Sequence, residues 1–137
     1  MKIPIFKAQT EWVIPTELPD LTKVDEIAID LETRDPDLIK KGSGAIIGNG
    51  EVIGIAVATS NYKGYFPIAH HGGGNMDRKM VLKWFQDLLN SPSTKIFHNA
   101  MYDVCWIRAL GLKIQGRIVD TMIAAAVTDE NRFRYDL

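Results

Sequence analysis

The sequence predicts an α/β domain built on a mixed sheet of about five strands flanked by helices. Three observations predict it. Short runs rich in β-branched and apolar residues recur at "DEIAIDLE" (25–32), "EVIGIAVATS" (51–60), "YFPIAH" (65–70) and "TKIFHN" (94–99). Other segments carry apolar residues at helical spacing. The first three strands follow one another directly, and after them strands and helices alternate.

Taken in order, residues 1–24 contain Pro4, Pro15 and Pro19 and read as an extended, loop-rich lead-in, so the domain proper is expected over 25–137. The first strand is followed by "TRDPDLIKKGSGAIIGNG", whose glycines and proline predict a loop. "NYKG" (61–64) is a turn signal and makes the second and third strands a hairpin. After the flexible turn "HHGGGN", Asn75 or Asp77 caps a helix carrying Met80, Val81, Trp84, Phe85, Leu88 and Leu89 at helical spacing. "MYDVCWIRALG" (101–111) predicts a helix closed by Gly111. "LKIQGRIVD" holds one more short strand, and "TMIAAAVTDEN" a helix from about residue 121.

The chain has 137 residues, enough for one core. Apolar residues make up 46% and charged residues 24%, and no apolar run approaches the roughly 18–20 residues of a membrane span. The start "MKIPIFKAQTEW" lacks the apolar core and cleavage site of a signal peptide. Cys105 is the single cysteine, which excludes an internal disulfide framework and fits a reducing cytoplasm. The net charge of −1 means that any polyanion must be held by a local patch or by metal ions.

Two carboxylates interrupt the first strand. Asp30 and Glu32 are two residues apart and share a face, roughly 7 Å apart by the rise per residue, while Ile27, Ile29 and Leu31 occupy the other face. Neighbouring unpaired carboxylates repel, so something positive belongs between them, or they sit in solvent or pair with Lys or Arg. A second patch, "HNAMYD" (98–103), places Asn99 at a strand end and Asp103 in the first turn of the next helix. Asn99 as N-cap and Asp103 as a first-turn charge are the plain readings. A third carboxylate reaching the sheet would instead complete a site for hard cations such as Mg²⁺.

"IAIDLET" followed by "HNAMYD" resembles the first two motifs, D-x-E and N-x2–3-(F/Y)-D, of the DEDD 3′–5′ exonuclease superfamily. "YFPIAH", "GRIVDTMIAAAV" and "DENRFRYDL" are similar to the exonuclease domain of family A DNA polymerases in its phage-like branch. The resemblance implies an RNase H-like fold and hydrolysis of the 3′-terminal phosphodiester of single-stranded DNA with two Mg²⁺ or Mn²⁺ ions. It implies that Asp30, Glu32 and Asp103 are the catalytic metal ligands, that Thr33, Asn99 and Tyr102 lie near the 3′-terminal nucleotide, and that Asp120 is structural. The third motif of the family, with the fourth carboxylate and the residue that orients the attacking water, has no match up to Leu137. The chain is therefore expected to be a piece of a proofreading exonuclease joined to or partnered by a polymerase domain, in a bacterial or phage-infected cytoplasm. By itself it is expected to be weak or inactive and, with apolar surface uncovered, capable of forming homo-oligomers. A catalytically incomplete nucleic-acid-binding or assembly module, and a ribonuclease D-like RNA-processing exonuclease, are the alternatives.

Other residues read more plainly. His70 and His71 are a loop feature, His98 lines the cleft, and Cys105 and Trp106 belong to the core. Tyr62, Tyr65, Phe66 and Trp84 fit packing, and "IKKGSG" (39–44) is a basic loop within reach of phosphates.

Overall fold

The computed structural model describes residues 11–137; the first ten residues, including part of the expected lead-in, lie outside the described residues. The strands are β1 (Glu26–Arg34), β2 (Glu51–Ala58), β3 (Lys63–Pro67), β4 (Thr94–Phe97) and β5 (Ile118–Asp120). The helices are α1 (Leu38–Lys41), α2 (Gly44–Ile47), α3 (Arg78–Asn90), α4 (Ala100–Ala109) and α5 (Thr121–Thr128). The sheet order is β3-β2-β1-β4-β5. β1 and β3 run antiparallel to β2, whereas β1, β4 and β5 run parallel, so the sheet is mixed.

One face of the central strands carries the core. Ile27, Ile29 and Leu31 are buried, and their cross-strand neighbours Val57 and Ile55, with Phe66 beyond, are buried beside them. Val81, Phe85, Leu88 and Leu89 of α3 and Trp106 and Ile107 of α4 join the same cluster. Fully burying side chains of this size is worth roughly 1.5–3 kcal/mol each, which is the main term holding the layers together. Asp77 caps α3 by accepting from the Met80 amide at 2.9 Å. Trp84 packs against Phe66 with tilted rings, centroids 4.5 Å apart, and donates from its indole N–H to the Pro19 carbonyl at 2.6 Å. That bond ties residues 11–25, which form no helix or strand, to the core.

Several expectations are corrected. The loop after β1 contains two short helices, α1 and α2. They escape notice in the sequence because each has only four residues, and Leu38, Ile39, Ile46 and Ile47 remain exposed. β1 runs on to Arg34. β3 stops at Pro67, beyond which Ile68 and Ala69 both donate to the Ile53 carbonyl in a turn. Trp106 is buried as expected, but Cys105 is only partly so. α5 has no buried residue, and Ile123 and Val127 stand exposed. Among the described residues no helix is long and apolar enough to cross a membrane.

Candidate active site

The carboxylate face of the sheet is floored by small side chains. Asp30 pairs across with Ala56, Glu32 with Gly54, and Ala28 with Ala58. Bulky residues there would fill the space above Asp30. Instead a cleft of about 360 Å³ opens, lined by Asp30, Ala28, Ala56, Ala58, Ile96 and His98 among others. A bulge between Glu32 and Thr33 shifts the register directly after the second carboxylate.

Asp103 arrives from the other side. β4 pairs with β1 only from Glu26 to Ala28, so the second half of β1 runs past the end of its neighbour. α4 begins at that gap and presents Asp103 there, only 2% exposed. Burial pushes the Asp103 carboxyl up to about 7, helped by the negative charges of Asp30, Asp120 and Glu32. A hydrogen bond with the backbone of Leu31 acts in the opposite direction. The structure thus brings Asp30, Glu32 and Asp103 within electrostatic reach of one another. Asp103 is no ordinary solvated first-turn charge.

α4 is capped from a distance. Asn99 occupies the N-cap position, but its side chain makes no capping bond, which corrects the local reading. Its backbone is left-handed, with φ 65°, a conformation that Asn tolerates better than most residues. The Asp120 carboxylate at the end of β5 does the capping. It accepts from the amides of Asn99 (3.0 Å) and Ala100 (2.8 Å), and from Met122 (2.9 Å) at the start of its own helix α5. Burial raises its pKa, but these amides, with that of Ile123, outweigh it and hold the carboxyl below its ordinary value. One side chain therefore fixes two helix starts and the turn carrying Asn99.

Thr33 and Tyr102 meet each other. The Tyr102 hydroxyl donates to Asp35 at 3.1 Å and lies 2.8 Å from the Thr33 hydroxyl, so Thr33 donates to it. Asp35 in turn accepts the Gly44 amide at 3.0 Å. A Cβ on Gly44 would fall 1.7 Å from the Asn49 carbonyl oxygen, so only glycine fits. This chain of bonds holds α1 and α2 against the strand end and α4. Lys41 of the basic stretch pairs with Asp37 at 3.1 Å. His98 lies 2.9 Å from the Thr121 hydroxyl and 2.6 Å from the Tyr135 carbonyl, at the edge of the cleft.

The donor set suits a hard cation. Three carboxylates supply only oxygen ligands, and one of them is a buried acid whose ionised form is penalised by its neighbours. A divalent ion between them would remove that penalty. Among the described residues no group of three or more His, Cys, Asp or Glu side chains is drawn together at metal-ligand spacing.

Sequence reasoning missed two features. The reach of Asp120 to α4 depends on the pairing of β5 with β4. Tyr65, read as a packing residue, stands on the carboxylate face, one strand beyond Ala56. Its hydroxyl lies 2.5 Å from His70 Nε2.

A five-stranded mixed sheet of order β3-β2-β1-β4-β5, with helices beside it, defines an RNase H-like fold. The chain belongs to the 3′–5′ exonuclease family, which it matches over residues 16–136. It is 34% identical over 123 residues to a DNA-directed DNA polymerase of Pseudomonas phage M6, an alignment covering 82% of this chain and 18% of that polymerase. The chain thus spans less than a fifth of that relative's length. Among the solved structures that share the fold are two nucleases. Brucella melitensis NrnC with bound Mg²⁺ superposes with a TM-score of 0.60 at 23% identity, over 91% of this chain and 55% of that one. The Aedes aegypti Nibbler EXO domain gives 0.55 at 15% identity, over 86% of this chain and 54% of its own.

Proposed function

We propose that this chain provides the proofreading 3′–5′ exonuclease site of a phage-type DNA polymerase and hydrolyses the 3′-terminal phosphodiester of single-stranded DNA. The carrying observation is the buried Asp103, set against Asp30 and Glu32 where the sheet opens. These three side chains would hold Mg²⁺ or Mn²⁺. When bound, such ions would make water nucleophilic near neutral pH and stabilise the leaving oxygen.

The remaining roles fall to the protein. Asp30, whose charge acts on Asp103, would help to hold both cations. Glu32, two residues on and on the same face, would stand on the side from which water attacks. Thr33, Asn99 and Tyr102 would line the side on which the 3′-terminal nucleotide rests, and the bonds linking Thr33, Tyr102 and Asp35 hold two of them in place before DNA arrives. The small side chains of Ala28, Ala56 and Ala58 would leave room for a strand end in the cleft beside Asp30. The polymerase domain is the proposed partner, and the infected bacterial cytoplasm the proposed location, both supported by the phage relative.

The test is digestion of a 5′-labelled single-stranded DNA with Mn²⁺, beside Asp30→Ala. A weak 3′-to-5′ ladder that disappears in the variant is expected. DNA binding that needs metal and Asp30 but yields no ladder would replace this reading with that of a binding module. Faster degradation of the matching RNA would shift the substrate class.

A further inference from the structure

Tyr65 is built into the carboxylate face with unusual care for a residue on an outer strand. Glu32 stands directly across from Gly54, and directly opposed residues point their side chains to the same face. The position of the Gly54 side chain is filled by Tyr65: a Cβ there would lie 2.0 Å from the Tyr65 hydroxyl oxygen and 2.4 Å from the ring carbon that bears it. Opposed Cβ positions are roughly 4.5–5.5 Å apart. The hydroxyl is therefore seated beside the Glu32 side chain. Burial and the charge of Glu32 both raise the Tyr65 pKa, which agrees with that placement.

The hydroxyl is held from behind. His70 Nε2 lies 2.5 Å from it, and the two rings meet edge to face with centroids 5.8 Å apart. His70 is fixed in turn. Its amide donates to the Asn75 side chain at 2.7 Å, and the Asn75 amide group returns to the His70 carbonyl at 2.9 Å. The neighbouring Ala69 carbonyl accepts from Arg34 at 3.1 Å, tying the turn back to β1. Trp12 packs on the outer side of Tyr65, with centroids 5.9 Å apart.

We propose that Tyr65, braced by His70, is a positioning residue for the hydrolytic water on the Glu32 side of the site. With the phenol donating to His70 Nε2, the Tyr65 oxygen is an acceptor toward the cleft. Glu32 is an acceptor as well. A water bridging them gives one hydrogen to each and turns its lone pairs outward, toward an incoming phosphodiester. Gly54 is required because any side chain would evict the phenol from its seat. This inference rests on the exonuclease reading above.

The experiment compares the full chain with Asp30→Ala, Tyr65→Phe, His70→Ala and His70→Gln, using 5′-labelled single-stranded DNA with Mn²⁺. Mn²⁺ affinity is measured by calorimetry, and DNA affinity by anisotropy in Ca²⁺. Tyr65→Phe keeps the ring over Gly54, so it is expected to fold. It should lower kcat about tenfold or more, within the range typical of outer partners at metal sites, with KM and both affinities within about twofold. His70→Ala should match it, a Tyr65→Phe/His70→Ala double variant should be no worse than either, and His70→Gln, which keeps a polar atom near Nε2, should recover part of the loss. Unchanged kcat in Tyr65→Phe, with Asp30→Ala inactive, overturns this proposal alone. So does a loss explained wholly by weaker Mn²⁺ or DNA binding. A chain that leaves the DNA intact under all conditions overturns the exonuclease reading and this proposal with it.

Discussion

Two buried ionisable groups lie near opposite ends of β4, and they are treated in opposite ways. Lys95 has no exposure at all, yet its ammonium is met by the carbonyls of Ser91 and Gln115, the latter at 2.8 Å, with the Ser91 hydroxyl at 3.5 Å. Burial lowers its pKa, but its donors have acceptors. Asp103 is almost as deeply buried and faces further carboxylates. The lysine knits the α3–β4 turn to the segment before β5. The aspartate is left among like charges, where β1 runs past the end of β4. A buried charge with partners is tolerated by a fold; a buried acid among like charges is a candidate for function.

The contrast can be broken most forcefully at Asp103. Its folded-state pKa lies above the ordinary 3.8, at about 7, so the folded protein keeps the proton longer than the unfolded chain does. Stability is then full below about pH 4 and falls as pH rises toward 7, by roughly 4 kcal/mol if the whole shift is realised. This direction is opposite to that of an ion-paired carboxylate. Urea unfolding across that range should show the decline in the wild type and a much flatter profile in Asp103→Asn. Mg²⁺ added above pH 7 should stabilise the wild type and leave the variant nearly unmoved. Parallel pH profiles in the two proteins would sink the idea.

Lys95→Met comes next. It strands two carbonyls and should cost about 2–3 kcal/mol in urea unfolding, with Mn²⁺ affinity unchanged. A loss of metal binding would show that the two regions are not independent. Asp120→Ala removes the shared cap of α4 and α5 and should cost about 2 kcal/mol. It should also weaken Mn²⁺ binding, because α4 carries Asp103. Smallest is Tyr102→Phe, at about 1 kcal/mol by thermal unfolding, since it deletes one hydroxyl and leaves the ring in place. A larger loss would mean that α1 and α2 detach as a unit.

The strands, the three longer helices and the facing of Asp30 and Glu32 were legible because each rests on local periodicity. Ile27, Ile29 and Leu31 alternate with the acids, and the core face follows. The depth of Asp103 was not legible, because it depends on where β4 stops relative to β1. The cap by Asp120 and the seat of Tyr65 over Gly54 were hidden for the same reason: register between distant strands decides them, and single-strand patterning carries no register. α1 and α2 were missed because four-residue helices held by Asp35 and Gly44 leave no apolar stripe.

The early end of β4 also isolates one amide. Beyond Ala28, β1 has no partner strand on that side among the described residues, and the Leu31 backbone meets Asp103 instead of another ladder. That proton is tied to a side chain whose ionisation and ligation are the site's own variables. Its exchange with deuterated solvent should therefore follow the occupancy of the site, while the neighbouring core amides exchange only as the domain opens. Once a cation is bound, the sheet would carry at a single residue a native reporter of it.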